Sequence, residues 1–193
     1  MTLSANAKAQ EIPSYLIYEM DDGQPIYYKG YQEVLAGTKD FEGIMADSTL
    51  QAWLKIELGA IIRALLPAGY IVTGGEQGLQ LRKSSWRAAD VAIFKKENFV
   101  LSNQYSAHPP EIAIEIDTKA DLNSTGAAIQ YYQRKNKQLF EFGVKKIIWI
   151  FTEVQTVQVL DVDGSDQEFE WADDILVMEG VSFNLQKIME QLQ

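Results

Sequence analysis

The sequence contains no cysteine and a single histidine, His108, among its 193 residues. The absence of cysteine excludes disulfides and thiolate metal sites, and it fits a cytoplasmic protein. One histidine cannot supply a histidine-rich zinc site, and His108 stands directly before two prolines, which is typical of an ordinary loop position. Thiolate sites and histidine-rich zinc sites are therefore not expected in this chain.

Long apolar runs are also missing. No stretch of about 18 residues is apolar enough to predict a membrane span. The first residues, MTLSANAKAQEIPSY, lack a basic start followed by an apolar segment, so no export signal is expected. We find no internal repeat and no linker, and 193 residues suit one domain with a sizeable core.

Positive charge is scarce overall but unevenly distributed. The net charge of −10 argues against nucleic acid as a partner, because phosphate would be repelled. Residues 82–146, however, carry 11 Lys and Arg against 7 Asp and Glu, whereas residues 147–193 carry 1 against 10. This asymmetry is a weak indication of nucleic-acid contact, and ordinary surface charge explains it equally well.

The periodicity predicts a mixed sheet with helices on its faces. Helices are expected over 48–66, after a Ser48–Gln51 capping box, and over about 124–142, ending at Gly143. YIVTG and GLQLR are interpreted as two strands joined by a hairpin turn at Gly74–Gly75. The expected strands that follow read AADVAIF, PEIAIEID, KIIWIF and VQVLDV.

The strand in PEIAIEIDTKAD separates charged from apolar residues. Side chains alternate along a strand, so Glu115, Asp117 and Lys119 are expected on one face, opposite three isoleucines. That face is either a solvated surface of an edge strand or the floor of a charged site. The sequence pattern of this strand alone leaves both interpretations open.

Asp90 favours the charged site. It lies inside AADVAIF, where an acidic residue needs solvent or a partner. Small residues, Ala92 and Ala113, stand beside Asp90 and Glu115 and would leave room for an ion or a substrate. Converging carboxylates repel unless a cation joins them, and hard oxygen ligands indicate Mg²⁺ or Mn²⁺ rather than zinc.

Lys135 is the expected counter-charge. It falls near the middle of the apolar stripe of the second helix, where an unpaired ammonium is costly, so it should meet carboxylates or extend to solvent. Lys119 is equally compatible with a plain surface position. Glu57, at the edge of the first helix's stripe, is interpreted as solvated.

At these residues the sequence resembles the PD-(D/E)XK nuclease superfamily and, more closely, its Uma-two family of restriction-endonuclease-like proteins, abundant in cyanobacteria. The resemblance covers most of the chain, through PIYYKGY, the first helix, AADVAIF, PEIAIEIDTKAD and RKNKQLFEFGVKKIIWIF. It implies an α/β restriction-endonuclease-like core, a mixed sheet flanked by helices. The whole chain, 1–193, would be one such domain with an N-terminal extension of about 1–46.

The resemblance also implies a site. Asp90 matches the motif aspartate and Glu115 the acidic residue of the (D/E)XK half, which in the superfamily bind the metal. The usual lysine position is occupied by Asp117, and Lys135 matches the place to which the Uma-two lysine has migrated. The resemblance thus implies catalytic roles for Asp90, Glu115 and Lys135, with Asp117 and Lys119 as further polar groups and Asp117 as a third metal ligand.

Three functions follow as hypotheses. The first is a Mg²⁺- or Mn²⁺-dependent DNA endonuclease, for which a homodimer fits because cutting both strands needs two sites. The second is a nuclease fold that has lost catalysis and serves as a nucleic-acid-binding or assembly module. The third is a non-nucleolytic metal phosphoesterase. A P-loop is excluded because GGEQG lacks a following Gly-Lys pair, and HExxH zinc chemistry is excluded by the single histidine.

Overall fold

The computed structural model describes residues 12–122 and 124–192. Its helices, apart from two short 3₁₀ turns, are α1 (Tyr31–Leu35), α2 (Glu42–Met45), α3 (Thr49–Leu65), α4 (Thr125–Phe142) and α5 (Leu185–Glu190). Its strands are β1 (Ile17–Asp21), β2 (Gln24–Tyr27), β3 (Tyr70–Arg82), β4 (Ser85–Lys95), β5 (Ile112–Ile116), β6 (Lys146–Phe151), β7 (Thr156–Asp161), β8 (Asp166–Glu170), β9 (Ile175–Met178) and β10 (Val181–Phe183). None of the described helices is long and apolar enough to cross a membrane.

Eight strands form one mixed sheet, in the order β2-β1-β4-β5-β6-β7-β8 with β3 paired to β4, and β9 and β10 form a separate ribbon. Only β5 and β6 of the described strands run parallel, and α4 is the crossover between them. The prediction of a mixed sheet flanked by helices is confirmed.

The two main helices begin and end where their sequence signals lie. Ser48 and Gln51 make the reciprocal capping box before α3. Ser124 accepts a hydrogen bond from the Ala127 N–H at the start of α4, and Gly143 ends that helix with φ +123°, a conformation that favours glycine. The predicted bounds of both helices are confirmed to within a residue.

The predicted hairpin at Gly74–Gly75 is wrong. Tyr70–Arg82 is one continuous strand that pairs with β4 from Tyr70 to Arg82, and the glycines lie at a bulge between Gly74 and Gln77. Gly75 and Glu76 take positive φ values of 85° and 62° there. The glycines therefore serve to bend a strand rather than to reverse it.

β4 positions three other strands. β3 occupies one edge of β4 along its whole length. β1, which pairs at Trp86, and β5, which pairs at Val91–Ile93, must therefore share the opposite edge. Asp90 lies on β4 between these two pairings, so acidic residues of three strands can approach one another there.

The sheet separates two cores. On one face α3, the β9–β10 ribbon and α5 enclose the isoleucines of β5 together with Leu54, Leu58 and Ile62. On the other face α4 covers the small residues Ala92 and Ala113 with Tyr131 and Leu139. All five residues of β5 are buried. The solvated edge strand considered for PEIAIEID is thus excluded: Glu115 is 2% exposed and faces the α4 side.

Candidate functional site

The acidic run of β5 does not continue on one face. The strand ends at Ile116, and Asp117 has φ +55°, so the alternation that predicted a shared face for Glu115, Asp117 and Lys119 stops after Glu115. The Asp117 carboxylate instead accepts hydrogen bonds from the Thr152 N–H at 2.9 Å and the Thr152 hydroxyl at 2.7 Å. Gln51 donates a third at 3.3 Å. Asp117 thereby fastens the end of β5 to the end of β6.

Asp90 bridges β4, β5 and α3. Its Oδ2 accepts a hydrogen bond of 2.6 Å from the Ile116 N–H, and its Oδ1 lies 2.7 Å from Lys55 Nζ. Its side chain keeps 11% of its surface exposed. Both oxygens have a partner in the folded chain, which satisfies the requirement of a strand aspartate.

Glu115 and Lys135 meet in the interior. Lys135 Nζ lies 2.9 Å from Glu115 Oε1 and 2.8 Å from Glu19 Oε1, and all three side chains are almost wholly enclosed. The ammonium also lies over the Trp149 ring, 5.3 Å from its centroid. Lys135 therefore contacts two carboxylates instead of extending to solvent, so the snorkelling alternative is excluded.

Glu19 is a buried acidic residue of β1 that the sequence pattern does not single out. Besides Lys135, it contacts Arg87 Nη1 at 2.9 Å and accepts hydrogen bonds from the Ala88 N–H at 3.1 Å and the Tyr131 hydroxyl at 2.8 Å. Arg87 is itself enclosed and also donates to Gln138. Glu19 is therefore the central acceptor of a buried network that joins β1, β4 and α4.

A second network lies at the more open end of Asp90. Lys55 Nζ contacts Asp47 Oδ2 at 2.8 Å as well as Asp90, with Glu76 Oε1 at 3.8 Å.

Lys119 binds Asp47 Oδ1 at 2.8 Å, the Met45 carbonyl at 2.9 Å, and Glu76. Lys119 thus belongs to this network rather than to Glu115. The bulge of β3 is what brings Glu76 to it. Glu57 is partly exposed on α3.

The two acidic residues flanking Lys135 differ in proton affinity. Burial raises the pKa of Glu115 to about 8; Lys135 opposes this shift, while Asp90 and Glu19 add to it. Burial also acts on Glu19, but Lys135 and Arg87 more than offset it and hold the pKa of Glu19 below its ordinary value. Burial likewise raises the pKa of Asp90, against the attraction of Lys55. Lys135 therefore lies between one carboxyl group of lowered proton affinity, Glu19, and one of raised proton affinity, Glu115.

Asp90 and Glu115 are the two carboxylates that would hold a divalent cation. Glu115 Oε1 is buried and receives no hydrogen bond, because its contact with Lys135 has unsuitable angles, so it keeps acceptor capacity. Within residues 12–122 and 124–192, no three acidic or histidine side chains are grouped as ligands, and Asp117 is bonded to Thr152 instead. Mg²⁺ commonly takes one or two carboxylates and completes its shell with water and phosphate oxygens, so Asp90 and Glu115 would suffice.

The mixed sheet with its crossover helix α4 has a counterpart among solved structures. Among solved structures, the chain is similar to the crystal structure of a protein from Anabaena variabilis ATCC 29413 described as "a putative nuclease belonging to DUF820". The two superpose with a TM-score of 0.61 over 91% of this chain and 90% of that chain, at 14% sequence identity. At this identity the match shows the fold alone. No family model matches the chain, and no curated protein matches it.

Proposed function

We propose that this protein is a metal-dependent endonuclease that hydrolyses phosphodiester bonds of DNA. The observation that supports this most directly is the placement of Asp90 and Glu115 on adjoining strands of a nuclease-like sheet, with Lys135 in contact with Glu115. The similar fold of the Anabaena protein supports it further. The Uma-two assignment remains a resemblance.

In this proposal Asp90 and Glu115 hold the cation, which would lower the pKa of a bound water and offset the charge of the phosphate. The Ile116 N–H and Lys55 fix the orientation of the Asp90 carboxylate. Lys135 is wholly enclosed, so its role is to position Glu115 and lower its proton affinity, rather than to touch the substrate. Asp117 joins the end of β5 to the end of β6 through its hydrogen bond with Thr152, and Lys119 forms ion pairs with Asp47 and Glu76.

The positive segment 82–146 provides less phosphate-binding surface than its composition suggests. Arg87 and Lys135 are buried in ion pairs, and Lys119 is committed to the network around Asp47. The cations left for phosphate contacts are the exposed ones, such as Arg82 and Lys137. Binding to nucleic acid should therefore be weak and strongly dependent on salt.

Plasmid nicking and calorimetry test the proposal. Supercoiled plasmid is incubated with Mg²⁺ or Mn²⁺ and wild type, Asp90→Asn or Glu115→Gln, and both cations are titrated into the same proteins. We expect nicking and cation binding by the wild type and loss of both in the two variants. Glu111→Gln is the matched control, because Glu111 precedes β5 and contacts only Lys95, at 3.7 Å, among the described cations.

The second candidate is a nuclease fold without catalysis, which binds nucleic acid or assembles with other proteins. It is favoured by the fact that both oxygens of Asp90 already have partners, Lys55 and the Ile116 N–H. In that case neither wild type nor variants would bind a divalent cation or nick DNA, and Glu115→Gln would leave DNA affinity unchanged.

A further inference from the structure

A large cavity lies at the carboxyl ends of the parallel pair β5 and β6. Its volume is about 490 Å³, within the range of roughly 300–1,000 Å³ typical of ligand sites. Ligands of open sheets with crossover helices bind at such strand ends. Six of the side chains that line it carry the argument: Lys29, Asp117, Asp121, Tyr132, Phe151 and Glu153.

The cavity adjoins the candidate hydrolytic centre. Glu115 is paired with Trp149 across the two strands; Asp117 directly follows the end of β5, and Phe151 is the last residue of β6. Two residues of a strand span about 7 Å. A DNA strand held at a cation between Asp90 and Glu115 would therefore bring its neighbouring nucleotide to the cavity.

Aromatic rings form the apolar wall of the cavity. Tyr132 packs edge-on against Trp149, with centroids 4.8 Å apart, and against Phe151 at 5.6 Å. Tyr132 and Phe151 both remain partly exposed toward the cavity. Such rings are the groups on which proteins stack single-stranded bases, whatever the base sequence.

The polar wall is unsuitable for phosphate. Three carboxylates, those of Asp117, Asp121 and Glu153, face one ammonium, that of Lys29. This excess of negative charge repels the phosphate backbone of DNA. The carboxylate oxygens can, however, accept hydrogen bonds from the N–H groups of a base. At the floor, Thr152 and Gln51 hold the Asp117 carboxylate in place through hydrogen bonds.

We propose that this cavity binds an unpaired nucleobase of the strand to be cut, stacked against Tyr132 and Phe151. The inference rests on the proposed nuclease function and names its substrate class as single-stranded or locally unpaired DNA. A paired base would first have to leave its duplex stack, whereas an unpaired base enters without that cost.

Binding without catalysis tests the cavity directly. Fluorescence anisotropy in the presence of EDTA compares a labelled thymidine oligomer, an abasic oligomer of the same length and a hairpin duplex. For the wild type we expect the thymidine oligomer to bind roughly tenfold or more tightly than the abasic strand. If the wild type bound the thymidine and abasic oligomers with equal affinity, or bound the hairpin duplex more tightly than the thymidine oligomer, the proposal would be wrong.

Two variants locate the binding. Tyr132→Leu and Phe151→Leu should each weaken binding of the thymidine oligomer by roughly tenfold while leaving the abasic strand unaffected. Tyr15→Leu is the control, since Tyr15 is 55% exposed and packs on Phe41 instead. Folded variants with wild-type affinity would refute the proposal.

Failure of this inference can be told apart from failure of the proposed function. If Glu115→Gln abolishes nicking while base and abasic strands bind alike, only the cavity assignment is wrong. If Glu115→Gln still nicks while the aromatic variants lose base binding, the hydrolytic centre is wrong and the cavity assignment stands.

Discussion

Removing the buried ammonium of Lys135 should destabilise the protein in a manner that a second substitution repairs. Lys135→Met keeps most of the side-chain volume but leaves Glu115 without the cation that lies 2.9 Å away. Removing one partner of a buried ion pair costs about 3–5 kcal/mol, mainly because the other charge stays desolvated. Glu19 retains Arg87 and two hydrogen bonds, so the cost arises chiefly at Glu115.

The size of this loss depends on whether Glu115 is charged. Above the wild-type pKa of Glu115, which is about 8, the Lys135→Met variant must either bury an unpaired carboxylate or protonate it at a cost in free energy. The full loss of stability is therefore expected near pH 9. Near pH 6, below that pKa, Glu115 carries less charge, and Lys135→Met should cost less than it does near pH 9. The double variant Lys135→Met/Glu115→Gln buries no unpaired charge there and should lie within about 1–2 kcal/mol of wild type at both pH values.

Urea unfolding followed by tryptophan fluorescence in EDTA measures these free energies. Lys137→Met is the control, because Lys137 lies two residues further along α4 and is 75% exposed, so its loss should change stability by less than about 0.5 kcal/mol. The reasoning is refuted if Lys135→Met costs less than about 1 kcal/mol near pH 9. It is equally refuted if the effects of Lys135→Met and Glu115→Gln simply add.

Two further outcomes follow from the same structure. The unfolded chain loses the Glu115 proton near its ordinary pKa of 4.5 and the folded chain only near 8, so between these pH values the unfolded state binds fewer protons and stability falls as pH rises. Relative to Glu115→Gln, the wild type should lose up to a few kcal/mol across this window in EDTA-buffered unfolding, and a pH-independent difference would contradict the assignment. Gly143→Ala should cost about 1–3 kcal/mol, because its φ is +123° and a Cβ would lie 2.9 Å from Pro109 Cγ. Gly59→Ala, inside α3 with nothing within 4 Å of the added Cβ, should instead gain about 0.5–1 kcal/mol; thermal melts that rank the two alike would show the backbone argument to be wrong.

The ion pairs of Asp90 and Glu115 determine what an unfolding experiment in EDTA measures. Asp90 and Glu115 each contact an ammonium of the chain itself, Lys55 and Lys135 respectively. The buried carboxylates are therefore compensated by groups that belong to the fold. In small domains that fold only when their metal is bound, metal binding and folding are one equilibrium. Here we expect the protein to be folded without a metal, so unfolding in EDTA measures the stability of the metal-free chain. Cation binding can then be assayed separately.

The fold was predictable where local signals agree with the tertiary structure. The capping box at Ser48, the glycine after α4 and the strands read from AADVAIF, KIIWIF and VQVLDV all depend on signals within a few residues, and each is found as predicted. The bulged strands were not predictable in this way. In β1 the register shifts between Ile17 and Glu19, so Tyr18 and Glu19 are both buried and no alternation marks them. The partners of Glu19 come from β4 and α4, far along the chain, and no local pattern specifies them.

Lys55, in contrast, was within reach of the sequence. Leu58 and Ile62 follow it at spacings of three and seven residues, which places Lys55 on the apolar stripe of α3, and it is 7% exposed. The same periodicity places Lys135 on the apolar stripe of α4. Applied to both helices, it predicts one buried ammonium from each face of the sheet, and two ammonium groups require carboxylates between them. The stripe periodicity thus indicates that a charged centre exists, whereas the identity of its acidic residues, Glu19 in particular, depends on strand pairings that only the three-dimensional structure provides.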